Sequence, residues 1–237
     1  QSRDPLKPGP DDPLNITQAN TLGGSMADGA GQNLTAAFLS QVVSGFTGGI
    51  DPSGELTAEQ AEALLTAATS LDPQSALGIP RVARDALILV PANDAATIKR
   101  YFNDIATVYT TTFPSFSRNE LGILVPSPKT ASGIDATGPE GVSRVIGEAI
   151  RTVKALPTPQ AFGDFAVSEL NYLLALERIT MILRNVESDP LAGIIAIGEL
   201  EAQTARTQES RRKMLADLRA QSIILGPGAP AYTFLNQ

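Results

Sequence analysis

Two long helical patterns meet at Ser188-Asp189-Pro190, and that junction narrows the fold more than any other stretch. Before it, Tyr172, Leu176, Ile179, Leu183 and Val186 recur in alternating four- and three-residue steps, the packing stripe of a helix in a bundle or coiled coil. After it, a second helix is expected from Leu191 to about Ala220, roughly 45 Å long at ~1.5 Å per residue. Asp189 is placed to cap that helix, and Pro190 to restart it. A break this short between two long helices implies an antiparallel hairpin over residues 160–221. The second arm opens apolar, with Leu191, Ile194, Ile195, Ile197 and Leu200, then turns polar through EAQTARTQESRRK. The polar section is expected to be solvated on most sides or to meet another chain.

Upstream, GPEGVSRVIGEAIRTVKAL places Pro139 at a first helical position and spaces Val142, Val145, Ile146, Ala149, Ile150 and Val153 along one helix face. Ile98, Tyr101, Phe102, Ile105, Val108 and Tyr109 do the same, with Asn93 or Asp94 as the cap. That helix lies between two short apolar runs, Ala86–Val90 and Gly122–Val125, each followed by proline. The runs read either as a strand pair (86–90 with 121–125) joined by one crossover or as buried connectors between helices. A further amphipathic helix begins at Asn33, with Leu34, Phe38, Val42 and Phe46 recurring every four residues.

The fold class is therefore mainly α: a helical bundle with a long C-terminal antiparallel hairpin. Residues 33–225 are expected to form a single domain. Residues 1–32 form an arm, with prolines at 5, 8, 10 and 13 and a Gly-rich stretch after them. Residues 226–237 form a tail beyond a Gly-Pro-Gly break.

Composition then limits the chemistry. The chain contains no cysteine and no histidine. Thiolate nucleophiles, disulfides, iron–sulfur clusters and the usual structural zinc sites are excluded, as are Ser-His-Asp triads and imidazole-bound metals. Aromatic residues total 5% and tryptophan is absent, which disfavours sugar-stacking clefts. The charge balance of 18 basic against 25 acidic residues gives −7 and disfavours nucleic acid or anionic lipid as a general partner. No apolar run approaches the ~20 residues that span a bilayer. The chain opens with Gln, as a mature form does after removal of a signal peptide; a trimmed chain starts the same way.

One loop invites a metal reading. In GIDPSGELTAEQ (49–60), aligning Gly54 with the turning glycine of an EF-hand puts Asp51, Ser53 and Glu55 at ligand positions and Leu56 at the usual apolar one. The first ligand position then falls on Gly49 and the bidentate one on Gln60. Shifting Asp51 to the first position restores Glu62 at the last, but places Leu56 where glycine must turn. Helix initiation accounts for the same residues: Pro52-Ser53-Gly54 turns the chain, and Thr57 with Gln60 makes a capping box. Capping is the favoured reading.

Other motifs are thinner. Ser210 and Lys213 match a Ser-x-x-Lys spacing, but the companion motifs of serine acyl-enzymes are missing and the setting is a polar helix face. Asp164 with Glu169, and Glu199 with Glu201, read as ordinary surface charge, except that Glu169 lies on the apolar side of its helix and is expected to pair with Arg178 or Arg206. Arg211, Arg212 and Lys213 form the densest basic cluster and are expected to face carboxylates of a neighbouring helix or solvent. Tyr232, Phe234 and Leu235 give the tail an apolar end of the kind that docks on a neighbour. No cofactor is implied.

The hairpin broken at Ser188-Asp189-Pro190, with its Gln- and Arg-rich second arm, resembles the helical minor-pilin subunits of type IV secretion systems. The resemblance covers about a quarter of the chain and transfers no residue roles. Together these features point to a non-enzymatic structural or adaptor subunit of an extracytoplasmic (periplasmic or secreted) assembly, homo- or hetero-oligomeric. Its partners are other protein subunits, met through the arm, the long helix (Arg211, Arg212, Lys213) and the tail (Tyr232, Phe234, Leu235). The alternatives are a small-ligand or calcium module using the 49–60 loop, and an enzyme working without His or Cys.

Overall fold

The computed structural model describes residues 33–37, 40, 72–91, 94–112, 116–118, 124–126 and 138–236. The N-terminal arm and the 49–60 loop, with Asp51, Ser53 and Glu55, lie outside the described residues.

Residues 34–37 form a helical turn capped by Asn33, whose Oδ1 accepts from Ala36 N at 2.8 Å. Helix α1 (Pro73–Ala76) is started by Asp72, which accepts from Ser75 N, and is closed at Gly78, whose φ of +59° suits a residue without Cβ. Strand β1 is Leu89–Val90, and α2 is Ala95–Thr112. Of the two sequence-level cap candidates, Asp94 does the capping: its Oδ1 accepts from Thr97 N at 2.8 Å. Strands β2 (Phe116–Arg118) and β3 (Leu124–Pro126) precede α3 (Gly138–Ala155). Strand β4 (Thr158–Pro159) leads through a 3₁₀ turn into α4 (Gly163–Arg184). Helices α5 (Pro190–Ala220) and α6 (Pro230–Leu235) complete the order.

The fold is mainly helical, as the 3.6-residue patterns predict. Every position of the α2 and α3 stripes named above is buried. Helix α4 is buried on more than one side, with Phe165, Leu170, Leu173, Leu176, Ile179 and Leu183 all inside, so it forms the centre on which α3 and α5 pack. The α4–α5 hairpin is antiparallel: the start of α4 meets the end of α5 at Glu169 and Arg211, while Val186 and Gly193 touch at the connection. Asp189 caps α5 through Ala192 N at 3.1 Å, with Pro190 in its first turn.

Both short apolar runs contribute strands, yet they do not pair with each other. Leu89–Val90 lies parallel to Thr158–Pro159, so the crossover carries α2 and α3 together. Leu124–Pro126 instead runs antiparallel to Phe116–Arg118, a pairing that closes a much shorter loop. The first run is also shorter than its apolar string, because Arg84–Ala86 forms a 3₁₀ turn.

Candidate functional site

The most concentrated chemistry among the described residues is a buried polar centre between α2, α4 and α5. Glu169 is fully buried, on the core side of α4 beside Phe165 and Tyr172. The antiparallel register of the hairpin brings Arg211 opposite it. Arg211 Nε donates to Oε1 at 2.9 Å and Nη2 to Oε2 at 2.7 Å, a bidentate pair. From α2, the Tyr109 hydroxyl donates to Oε2 at 2.6 Å. The carboxylate thus receives three donors and a full compensating charge, as a buried ion requires.

Aromatic rings close the guanidinium in. Its carbon stands 4.2 Å from the Phe234 ring centroid, 4.7 Å from that of Tyr109 and 5.7 Å from that of Tyr172. Burial disfavours the charged guanidinium, but the hydrogen bonds and charge of Glu169 outweigh it and hold the Arg211 pKa above its ordinary value. Burial, reinforced by the Glu169 charge, pushes the Tyr109 phenol well above 10. This is a locked arrangement, with both ions and the phenol occupied by one another.

A second carboxylate is also inside. Glu199, 5% exposed, accepts on Oε1 from Arg206 at 2.9 Å, Gln203 at 2.8 Å and Gln74 of α1 at 3.3 Å. It therefore ties α1 to α5 and is not the surface charge that its sequence context suggests, whereas Glu201 is exposed.

The arginine assignments change accordingly. Arg178 Nε donates to the Leu77 carbonyl at 2.8 Å, and Arg206 serves Glu199, so neither pairs with Glu169. The partner is Arg211, the one member of the basic cluster that faces a carboxylate on the neighbouring helix, while Arg212 and Lys213 are exposed. Asp164 pairs with Arg84 at 3.0 Å on the surface. Among the described residues no group of three or more acidic side chains is placed to hold a metal ion, and no helix is long and apolar enough to cross a membrane.

The tail docks on its own chain. A turn closed by Ala229 N donating to Gly226 O at 2.9 Å folds α6 back against α2 and α5. Ala231, Phe234 and Leu235 are buried there, Tyr232 is half-buried, and Ala231 N donates to Asn103 Oδ1 at 3.1 Å. The sequence showed an apolar end but not which surface would receive it, since Asn103 and Tyr109 lie more than a hundred residues upstream.

No family model, curated protein or solved structure matches the chain. The resemblance of the hairpin to secretion-system minor pilins accordingly rests on helix pattern alone. On the surface, α5 carries two exposed isoleucines, Ile194 at 68% and Ile197 at 39%.

Proposed function

We propose that this chain is a non-enzymatic structural or adaptor subunit of an extracytoplasmic protein assembly, docking a protein partner on the outer face of the first turns of α5. The observation that carries this reading is the exposure of Ile194 and Ile197 beside Gly198, around which the space is open. Ile194, Ile197 and Gly198 stand at i, i+3 and i+4 on one helix face and form a small apolar patch where another backbone can approach closely. Glu201, exposed one turn further along the helix, gives the patch a polar edge.

One further feature supports a contact role. The buried ionisable groups at Glu169 and Glu199 are engaged within the fold, which leaves them little freedom for acid–base work. Absence of cysteine suits an extracytoplasmic chain that folds without disulfides. The Pro-rich arm of residues 1–32 would add further contacts to the partner.

A photo-crosslinking residue at Ile194, expressed in the native host, tests the reading. The expected result is a discrete protein adduct in the extracytoplasmic fraction, absent when the same residue replaces exposed Thr152 on α3. Equal labelling from both positions, or no adduct from Ile194, would sink it.

A further inference from the structure

We propose that the C-terminal segment 226–236 is exchangeable, and that the socket it fills on α2 and α5 also accepts this segment from a second copy of the chain. The socket belongs to the body. Asn103 and Tyr109 come from α2 and Arg211 from α5, and Tyr109 and Arg211 are held by Glu169 through contacts that do not involve the tail. The plug belongs to the segment: the Phe234 ring lies 4.8 Å from that of Tyr109 and 4.2 Å from the Arg211 guanidinium, and Leu235 is fully buried.

Between body and plug the chain is loosely held. Leu225 is the last buried residue of the body, and Gly226, Pro227 and Gly228 are exposed. A Cβ added at Gly226 or Gly228 would meet nothing within 4 Å. The backbone hydrogen bond at the joint, Ala229 N to Gly226 O, is internal to the joint. Opening it therefore sacrifices little beyond the plug contacts, and those contacts are restored in full when the plug enters another copy's socket.

Own-tail and exchanged states then differ only in joint conformation and effective concentration. A short tether gives the resident tail an effective concentration of about millimolar, so a dilute chain keeps its own tail. Copies held side by side, or a joint too short to turn back, reverse the preference. An empty socket is unfavourable because it removes the Phe234 ring from one side of a buried ion pair, which favours recapture of whichever tail is near.

The chain has no cysteine, so a cross-link can report exchange directly. Full-length Asn103→Cys and Ala231→Cys chains are purified separately, mixed under oxidising conditions and run on non-reducing gels; the two positions adjoin, with Ala231 N 3.1 Å from the Asn103 side chain. The expected result is a mixed disulfide that grows with protein concentration towards about millimolar and exceeds that from Thr152→Cys mixed with Ala231→Cys. Cross-linking no greater than that control at any concentration overturns the proposal. A second chain, lacking Gly226–Gly228, is expected to sediment as a dimer that reverts to monomer when Phe234→Ala is added. A monomer at all concentrations, or a dimer indifferent to Phe234→Ala, also overturns it. The proposal leans on the assembly reading only for what brings copies together. Because purified chains are mixed with no other protein present, its failure would leave the Ile194 surface untouched.

Discussion

Arg211 and Glu169 lie 42 residues apart in sequence and meet through two parallel hydrogen bonds in the interior of the hairpin. Neither charge is near enough to water to be solvated, since the side chains are 8% and 0% exposed. Removing one partner of such a pair leaves an uncompensated ion, at a cost of about 3–5 kcal/mol, whereas replacing the whole polar set by apolar groups is often neutral. Arg211→Met is therefore expected to lower unfolding free energy by that amount. The triple variant Tyr109→Phe/Glu169→Met/Arg211→Met should regain most of the loss, the tyrosine being included so that no buried hydroxyl is orphaned. Urea denaturation decides the matter. Equal losses in the single and triple variants would show that the site acts by shape rather than by charge.

The same centre sets the alkaline limit of the fold. Burial raises the phenol pKa of both Tyr109 and Tyr101, with the Glu169 charge adding to the effect. A group whose folded pKa is raised contributes stability that is whole below its unfolded value, about 10 for tyrosine, and that is lost as pH climbs towards the folded value. Stability is expected to fall above about pH 10, less steeply in Tyr109→Phe than in the parent chain. Thermal melts between neutral and strongly alkaline pH, followed together with tyrosinate absorbance, check this: ionisation of Tyr109 should coincide with unfolding rather than precede it.

Helix stripes were legible because helical periodicity is written in consecutive residues. Ile98 to Tyr109 and Val142 to Val153 needed no knowledge of what they pack against, and Asp189-Pro190 announced both the break and the cap. Pairings between distant segments were not legible. Which arginine meets Glu169 depends on hairpin register, and a shift of one helical turn at ~1.5 Å per residue is enough to change the partner. Strand runs of two or three residues likewise carry no register, so Leu89–Val90 gave no sign that it would lie beside Thr158–Pro159. Glu199 looked like surface charge because one of its partners, Gln74, comes from a distant part of the chain, although Gln203 and Arg206 follow it on the same helix.

Asp189 joins two helix starts. Its Oδ1 accepts from Ala192 N at 3.1 Å at the head of α5, and from Thr35 N at 3.0 Å and Thr35 Oγ1 at 2.7 Å. Its Oδ2 takes Leu34 N at 2.6 Å, and Thr35 Oγ1 in turn accepts from Leu191 N at 2.9 Å. Partial burial pushes the carboxyl pKa up, but these hydrogen bonds outweigh it and hold the carboxyl below its ordinary value. A depressed carboxyl stabilises above its unfolded pKa of about 3.9, and the contribution disappears as pH falls through the folded value. Asp189→Ala is expected to cost about 1–2 kcal/mol near neutrality, the range of a lost cap. Its deficit relative to the parent should begin to shrink below about pH 4 and vanish only once pH has fallen through the depressed folded value. Urea midpoints at neutral pH and at pH near 3 make the comparison; a deficit unchanged by pH would mean that the carboxylate charge is irrelevant.

Two glycines five positions apart in α5 should respond oppositely to alanine. A Cβ at Gly193 would clash with Val186 Cγ2 and fall 3.3 Å from Val186 Cβ, and a β-branched valine has little rotamer freedom with which to yield. Gly193→Ala is expected to cost about 1–3 kcal/mol through overpacking, most of it recovered by adding Val186→Ala. At Gly198 an added Cβ meets nothing within 4 Å, and the residue sits inside a 31-residue helix. Gly198→Ala should stabilise the isolated chain by about 0.5–1 kcal/mol through the reduced entropy of the unfolded state. Because Gly198 also borders Ile194 and Ile197, the same substitution should weaken partner capture at that patch by filling the gap where a second backbone approaches. Melting curves and Ile194 cross-linking yields on one variant separate the two effects: a gain in stability with undiminished capture would place the partner elsewhere on the surface.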